Sequence, residues 1–461
     1  MSLGLGSTSG VISQASQTEF KYYIGCFGDS ITHNVVYTSG TSPDGKTPAA
    51  WHTADADNNY LRAWGWIAWV GALSLQRAQI VKSWARQTNG LLTAGTAPAG
   101  CPLSYQVTQA LADPAWAKIN RVAICIGYND SAFTIAECVT ELLKQIKRIN
   151  KTVDLITPPP RSDGAATSVG GDGMQGWAWL AAWRLALKRI ADESRGRINF
   201  IDAYSKINLP TTSPDGYATN HSYDTIHPSN IGAYKMADAY VSAMFPTGLD
   251  GDLDIWPTAA HTGSTGANNK IDQGFSNPTF ATASGGSGTG VIAGSLTITQ
   301  TNATHNGTVA ACTIPGGTGN MQTLALSPSA ADGIVTATTA SVHAAGGTFL
   351  AAGDSYYAQV LVRINSGGIY PHNMRLRTLG YRAPTNYFGV LNDLDASKEF
   401  ALPLTATRTF LLRTPIMYMP SGGAFTVLNS ALSFSFKAAG SCTVDFSNWE
   451  IRRLLAGSVY S

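Results

Sequence analysis

Short apolar runs alternate with segments of helical periodicity in the first half of the chain. The runs are KYYIGCF (21–27), QIVKSWA (79–85), RVAICIG (121–127), TVDLITP (152–158) and RINFIDA (197–203). Helix-like segments lie near 61–77, 103–112, 134–150, 176–195 and 229–244. Near-continuous apolar strands separated by helices predict a parallel sheet covered by helices on both faces. In such a sheet, functional side chains gather beyond the carboxyl ends of the strands.

The pattern changes beyond residue 275. Short alternating stretches, among them SLTITQ, YYAQVLVRI and ALSFSFKA, are separated by turn residues, and few helical windows remain. This pattern predicts an all-β sandwich or jelly roll. The stretch between the two halves is rich in Gly, Thr, Asn and Asp without sustained periodicity, which is typical of a linker. The predicted organisation is an N-terminal arm (1–20), an α/β domain (21–248), a linker (249–275) and a β-sandwich (276–461).

Composition agrees with two folded domains. A chain of 461 residues with 44% hydrophobic and 13% charged residues is too long for one ordinary core and too apolar to be disordered. The formal net charge is +2 and no Lys/Arg cluster stands out, so we expect no nucleic-acid partner. No run of about 18 apolar residues predicts a membrane span. Six cysteines are scattered without a C-x-x-C pair, and the sequence leaves undecided whether Cys312 and Cys442 form a disulfide.

Polar residues that carry chemistry follow the first and third apolar runs. The first run ends in Gly-Asp-Ser, which places Ser30 at the carboxyl end of a strand. The third run ends in GYND, which places Asn129 and Asp130 at the same rim of the sheet. Further along, Asp224 precedes His227 by three residues, just before a helical segment. The topology therefore predicts that these side chains meet in one crevice.

These residue types suit nucleophilic acyl transfer. A serine hydroxyl is a poor nucleophile until an imidazole accepts its proton, and the imidazole needs an acceptor on its other nitrogen. Ser30, His227 and Asp224 fill these roles as nucleophile, base and orienting acid. The transition state also needs donors where oxyanion charge develops, and Asn129 is a candidate for that role.

The set resembles the SGNH, or GDSL-type, hydrolase family. Its first block matches Gly28-Asp29-Ser30-Ile31, its third matches GYND at 127–130, and its last matches DTIH at 224–227, so that the resemblance covers roughly residues 21–245. The resemblance implies a flavodoxin-like three-layer fold and ester or acetyl hydrolysis without a metal or other cofactor. It also implies an oxyanion hole made by the Ser30 N–H, the Asn129 side chain and a backbone N–H from the second block.

The second block departs from the family pattern. The family usually places a glycine just after the second strand, whereas this chain has SWARQTNGLLTAG. Ala85 occupies the corresponding position, and Gly90 and Gly95 are alternatives. Because only a backbone N–H is needed, alanine could serve.

Other interpretations of the same residues remain open. A second Gly-Asp-Ser at 353–355 has no D-x-x-H after it and is typical of a loop. His227 alone could be a capping or core histidine, and His221, Asp224 and His227 form an alternative metal set. Arg161, in the loop at 158–174 after the fourth run, and Trp177, at the start of the helix that follows, are candidates for substrate contact.

The second half resembles jelly-roll carbohydrate-binding modules in its SNPTF, YYAQVLVRI and VDFSNWEIRRL stretches. Its aromatic candidates for stacking on a sugar or for the core are Trp449, Tyr356, Tyr357 and Tyr370. A sugar-binding module would raise the effective concentration of a catalytic domain on a polymer. This architecture fits a carbohydrate esterase carried on a phage tail, and fits a multidomain bacterial esterase nearly as well.

We therefore predict a serine esterase that hydrolyses O-acetyl groups on a polysaccharide outside the cell, with no membrane partner. The N-terminus lacks a basic segment followed by a long apolar core, so a secretory signal is absent or was removed. A homo-oligomer, and a trimer if the protein is virion-borne, is compatible with the sequence. The alternatives are a lipase or polyesterase for longer or aromatic esters, and a binding protein with a degenerate esterase domain.

Overall fold

The computed structural model describes sixteen stretches of the chain. They are residues 22–33, 60–63, 65–86, 88–94, 102–161, 168–209, 216–246, 248–249, 271–273, 277–329, 332–342, 350, 354–382, 385–391, 400–418 and 425–454. The arm at 1–20, most of the linker, Gly95 and Gly353 lie outside the described residues.

The first half contains alternating strands and helices. Its elements are β1 (Tyr22–Gly28), α1 (Ser30–His33), β2 (Tyr60–Ala63), α2 (Trp66–Leu73), β3 (Ala78–Ser83), α3 (Leu103–Ala112), a 3₁₀ turn (Pro114–Lys118), β4 (Arg121–Cys125), α4 (Ile135–Ile149), β5 (Thr152–Ile156), α5 (Gly176–Glu193), β6 (Ile198–Ile201), α6 (Tyr204–Ile207), β7 (Asn208–Leu209), β8 (Gly216–Tyr217) and α7 (Asn230–Met244).

The second half consists of strands throughout the described residues. They are β9 (Ile271–Gln273), β10 (Leu296–Thr301), β11 (Ala303–Ala311), β12 (Asn320–Pro328), β13 (Gly333–Thr339), β14 (Ser355–Ile364), β15 (Asn373–Arg382), β16 (Thr385–Leu391), β17 (Arg408–Arg413), β18 (Met417–Tyr418), β19 (Val427–Phe436) and β20 (Cys442–Leu454).

A parallel sheet in the order β3-β1-β4-β5-β6 forms the centre of the first domain. Counted within the sheet, this is the 2-1-3-4-5 order of flavodoxin-like folds. Helix α4 packs between α3 and α5, while α2 packs on α7, so that helices cover both faces. The predicted three-layer α/β fold is confirmed. None of the described helices is long and apolar enough to cross a membrane.

The predicted helix near 61–77 is only partly correct. Residues 60–63 form β2, which pairs in parallel with β16 of the second half, and the helix begins at Trp66 after Gly65 at a φ of 78°. A single-sequence pattern gives no signal for pairing with a strand more than 300 residues away. The remaining strands and helices of this domain lie close to their predicted positions.

The second half is a β-sandwich, as predicted. One sheet has the order β10-β13-β19-β15-β16-β2, and the other has the order β11-β12-β20-β14-β17, with β18 and β9 paired at its side. Alternate residues of β11 and β13 are buried, which is the pattern of strands with one face toward a core. Cys312 and Cys442 are free thiols, so the disulfide that the sequence left undecided is not formed.

The sandwich packs directly on α2 and α7 of the α/β domain. The Trp69 ring lies 5.9 Å from the Phe410 ring, and the Gln76 side-chain amide donates to the Leu411 carbonyl at 2.8 Å. An ion pair joins Arg408 to Asp238 on α7 at 3.0 Å. Buried residues of both halves belong to one continuous apolar cluster. The two domains therefore share a packed interface.

A buried carboxylate ties the middle of the parallel sheet to α7. Asp154 on β5 is fully buried and accepts two hydrogen bonds of 2.6 Å from the Arg121 guanidinium on β4. It also accepts hydrogen bonds from the Asn199 amide at 2.8 Å and from the Tyr240 hydroxyl at 2.7 Å. A buried carboxylate is tolerated when its oxygens accept hydrogen bonds in this way. Removing it would leave its donors without their acceptor, next to an apolar core.

Asp154→Ala should lower the free energy of unfolding by about 3–5 kcal/mol, because it leaves the Arg121 cation without its buried partner. Urea unfolding followed by circular dichroism measures the change. Asp192→Ala, which breaks an exposed i,i+4 pair with Lys188, is the matched control and should change little. Equal midpoints for the two variants would contradict the assigned role of Asp154.

Candidate active site

The turn after β1 positions the candidate nucleophile. Ser30 is the first residue of α1 and is 7% exposed. The Asp29 carboxylate accepts a hydrogen bond from the Ile31 N–H at 2.9 Å, which fixes the turn around Ser30. A Cβ added at Gly28 would collide with the Cys125 carbonyl and the Thr32 side chain, so only glycine fits there.

Asp224 and His227 form a hydrogen-bonded pair on the loop before α7. His227 Nδ1 lies 2.7 Å from Asp224 Oδ2, while Asp224 Oδ1 accepts from the backbone N–H of His227 at 2.6 Å and of Ile226 at 3.0 Å. Burial alone would raise the pKa of Asp224, but the hydrogen bonds from the His227 ring and these N–H groups hold that pKa below its ordinary value. The carboxylate therefore stays ionised beside the ring.

The other ring nitrogen of His227 is free to act as a base. Nε2 is buried and makes no hydrogen bond with any described residue. His227 also lies close enough to Asp29 for its charge to affect the pKa of that carboxyl. No hydrogen bond joins Ser30 to His227 Nε2 among the described residues, so the role of His227 as the base for Ser30 stays a prediction.

Three residues that the sequence did not single out shape the His227 loop. Thr225 has a φ of 71°, an unusual conformation for a β-branched residue and a form of strain that concentrates at functional sites. Tyr217 donates its hydroxyl hydrogen to the Ile226 carbonyl at 2.6 Å. The Tyr223 ring stacks on the His227 ring with centroids 5.8 Å apart. Tyr217 and Tyr223 belong to no motif, so only the tertiary structure reveals them, whereas Thr225 lies inside the DTIH block but was assigned no role from the sequence.

Asn129 and Asp130 join the loops that follow β4 and β3. The Asn129 amide donates to the Asn89 carbonyl at 3.0 Å. The buried Asp130 carboxylate accepts from the N–H groups of Leu91, Leu92 and Thr93 at 2.7, 3.1 and 3.0 Å, and from the Thr93 hydroxyl at 2.9 Å. Asp130 is thus a structural acceptor, and it holds the second-block segment beside Asn129.

The candidate second-block donors differ in their surroundings. Gly90 lies against Asp130, where an added Cβ would collide with the carboxylate, and its N–H donates to the Thr93 carbonyl at 3.0 Å. Ala85 is fully buried just after β3, and its N–H lies 3.4 Å from the Ser83 hydroxyl, which is a long hydrogen bond. The third oxyanion donor therefore stays a prediction.

The two predicted substrate contacts occupy different places. Arg161 donates to the Tyr128 carbonyl at 2.8 Å and lies 4.7 Å above the Tyr128 ring, next to Asn129 in the chain. The Trp177 indole N–H donates to Gln175 at 2.7 Å, in the first turn of α5. The structure therefore places Arg161 beside the third block, whereas the described contact of Trp177 is local to its own helix.

The alternative metal set does not converge. Nδ1 of His221 lies 2.8 Å from the Thr219 carbonyl, while Nδ1 of His227 is engaged by Asp224. In the part of the chain that the structure describes, no three His, Cys, Asp or Glu side chains come together in a way that could hold a metal ion.

The proposed sugar-stacking aromatics mostly belong to the sandwich interior. Trp449, Tyr356 and Tyr357 are at most 1% exposed, and the Trp449 indole donates to the Ser430 hydroxyl at 3.1 Å. Tyr370 is half-buried. Of the four candidates, only Tyr370 retains surface for a ligand.

The chain matches no protein-family model and no curated protein sequence. Similar solved structures include a carbohydrate acetylesterase from Sinorhizobium meliloti, 17% identical over 50% of this chain and 100% of the other, with a TM-score of 0.35. A catalytic mutant of an acetylxylan esterase from Geobacillus stearothermophilus is 18% identical over 48% of this chain and 94% of its own, with a TM-score of 0.33. A carbohydrate-binding module of the β-sandwich superfamily is 14% identical over 37% and 63%, with a TM-score of 0.25. At these identities and TM-scores, the similarities do not establish an activity.

The buried Asp29 carboxyl should make stability depend on pH. Burial raises its pKa to about 7 from an ordinary value of 3.8, an effect that the Ile31 N–H opposes and the charge of Asp130 reinforces. The folded state therefore binds a proton that the unfolded state releases. The stability contributed by neutral Asp29 is fully present below pH 3.8 and is lost as the pH rises to about 7.

Asp29→Asn removes this titration. The free energy of unfolding of the variant minus that of wild type should therefore rise by about 1.4 kcal/mol per pH unit between pH 3.8 and about 7, and level off above that range. Urea unfolding of both proteins at a series of pH values gives the difference. Asp192→Asn, at an exposed carboxylate, should show no comparable trend. A constant difference for Asp29→Asn would refute the raised pKa.

Proposed function

We propose that the chain is a serine esterase of the SGNH type that removes O-acetyl groups from a polysaccharide. The observation that carries the proposal is the Asp224–His227 pair at 2.7 Å, together with a buried His227 Nε2 that has no hydrogen-bond partner among the described residues. A histidine oriented by a carboxylate, with its second nitrogen free beside a serine, is the arrangement that activates a hydroxyl nucleophile.

The proposed reaction assigns a step to each of these residues. Ser30 Oγ attacks the acetyl carbonyl carbon while its proton passes to His227 Nε2, and Asp224 stabilises the imidazolium. When the tetrahedral intermediate collapses, the C–O bond to the sugar breaks and the imidazolium protonates the leaving sugar oxygen. Water, deprotonated by the same histidine, then attacks the acetyl-Ser30 ester, which releases acetate and restores the serine.

Asn129 is suited to stabilise the oxyanion. Its amide carries two N–H donors, and the hydrogen bond to the Asn89 carbonyl at 3.0 Å occupies one of them. That bond restrains the amide plane, and the second N–H is the donor that we propose for the oxyanion. Pre-oriented donors cost no reorganisation when charge develops, and one such donor is typically worth about 3 kcal/mol.

A polymeric carbohydrate ester is the substrate class that the architecture favours. The β-sandwich, whose sequence resembles jelly-roll carbohydrate-binding modules, is packed on the α/β domain. The Arg161 cation lies beside the third block. A docked sandwich suits an extended polar chain that passes over the site. We propose that the protein acts outside the cell on bacterial or plant polysaccharide, with a phage tail as its carrier and a homotrimer as the assembly in that case.

Hydrolysis of p-nitrophenyl esters from acetate to palmitate tests the proposal. Wild type should hydrolyse acetate in preference to long chains, and Ser30→Ala should fall to the background rate because the nucleophile is gone. Ser355→Ala is the matched control, since it makes the same change in the second Gly-Asp-Ser, at the start of β14. It should keep wild-type activity.

Each departure from this pattern has a definite meaning. A preference for long chains would replace the deacetylase with the lipase hypothesis. Turnover that survives in Ser30→Ala would reject this nucleophile. No turnover in wild type, together with binding of an acetylated polysaccharide, would favour the binding protein with a degenerate esterase domain.

A further inference from the structure

Asn230 connects the catalytic histidine to the sandwich domain. It is the first residue of α7, three residues after His227, and is 7% exposed. Its amide nitrogen donates to the carbonyls of His372 at 2.6 Å and Phe400 at 2.7 Å, and its amide oxygen accepts from the Phe400 N–H at 2.8 Å. Both donor hydrogens and one acceptor site of this side chain are therefore bound to sandwich backbone.

The first turn of α7 is also bound to the loop that carries the candidate catalytic pair. The Ser229 hydroxyl donates to the Asn220 carbonyl, and the Ser229 N–H donates to the His221 carbonyl at 2.9 Å. A Cβ at Gly232 would collide with that same His221 carbonyl. Because the loop packs this closely on the helix, any displacement of the first turn moves His227 and its partner.

The sandwich side of the contact is equally anchored. The His372 N–H donates to the Ser435 carbonyl on β19 at 2.9 Å, and the Leu402 N–H donates to the Pro371 carbonyl at 3.0 Å. The two segments that Asn230 contacts are thus held to each other and to a sheet. A rigid support of this kind can fix the helix end that it contacts.

We propose that Asn230 is a positioning residue, through which the docked sandwich fixes the Asp224–His227 loop against the Ser30 turn. The sandwich is then a structural part of the catalytic unit and not only a tethered binder. The inference rests on the proposed esterase function. Removing the Asn230 amide takes away its hydrogen bonds to the His372 and Phe400 backbone groups, so the first turn of α7 is no longer held in place by the sandwich.

Asn230→Ala should lower kcat by about 10- to 100-fold with KM changed less than about twofold, because small misplacements of catalytic groups cost rate more than binding. Asn230→Asp, which keeps the shape but turns a donor into an acceptor facing two carbonyls, should lower kcat similarly. The matched control is Arg408→Ala, which removes the ion pair to Asp238 further along the same helix and interface. It should retain wild-type kcat.

A second readout does not depend on turnover. The His227 Nδ1 proton that bridges to Asp224 should give a downfield imidazole resonance in the proton NMR spectrum of wild type and of Arg408→Ala. In the two Asn230 variants this resonance should broaden or disappear, although circular dichroism shows them folded. If wild type hydrolyses no ester but the resonance still depends on Asn230, the positioning role stands and the esterase proposal fails.

The inference is overturned if a folded Asn230→Ala or Asn230→Asp protein keeps both wild-type kcat and the downfield resonance. It is also overturned if Arg408→Ala loses as much kcat as the Asn230 variants do. In that case domain docking in general, and not this side chain, would support the catalytic loop.

Discussion

The candidate site depends on the Asp130 carboxylate more than on any other single group. Loops after two different strands must come together to build an oxyanion pocket, and backbone N–H groups bound to Asp130 hold them in contact. The carboxylate is fully buried and its donors come from one short segment, so shifting that segment would strand a charge in the core. Gly90 permits this approach because it lacks a side chain. The Asp130 carboxylate therefore holds the segment 91–93 beside the loop that carries Asn129.

The same logic extends to the domain interface. A binding module on a flexible tether raises local concentration but does not affect the geometry of catalysis. Here the sandwich contacts α2 and α7, shares a core with the α/β domain and receives β2 as an edge strand. Contacts of this number and variety are expected to restrict relative motion of the domains. The sandwich therefore supports α7, the helix that follows the candidate catalytic loop. This structural role is separate from any binding of a ligand by the sandwich.

The sequence predicted the strands, most helices and the order of the candidate catalytic residues, because these depend on local periodicity and on short spacing. Asp224 and His227 are three residues apart, so their hydrogen bond lies within reach of a motif argument. The Asn230 side chain binds His372 and Phe400, which lie 142 and 170 positions further along the chain. No local sequence pattern encodes these contacts. The second-block donor that the resemblance implies is a backbone N–H, which every residue but proline carries, so residue identity could not decide among Ala85, Gly90 and Gly95.

The two Gly-Asp-Ser triplets show why the motif alone was insufficient. In the second copy, Asp354 pairs with Arg453 at 2.8 Å and Ser355 enters a strand, so its polar groups serve the fold. In the first copy, Asp29 is buried with one oxygen unpartnered among the described residues, and burial raises its pKa. An unsatisfied buried carboxyl is unfavourable for stability, and such exceptions concentrate where function requires a fixed, dry site. The Asp-Ser pair therefore has different surroundings in the two copies: an ion pair and a strand in the second, and a buried turn in the first.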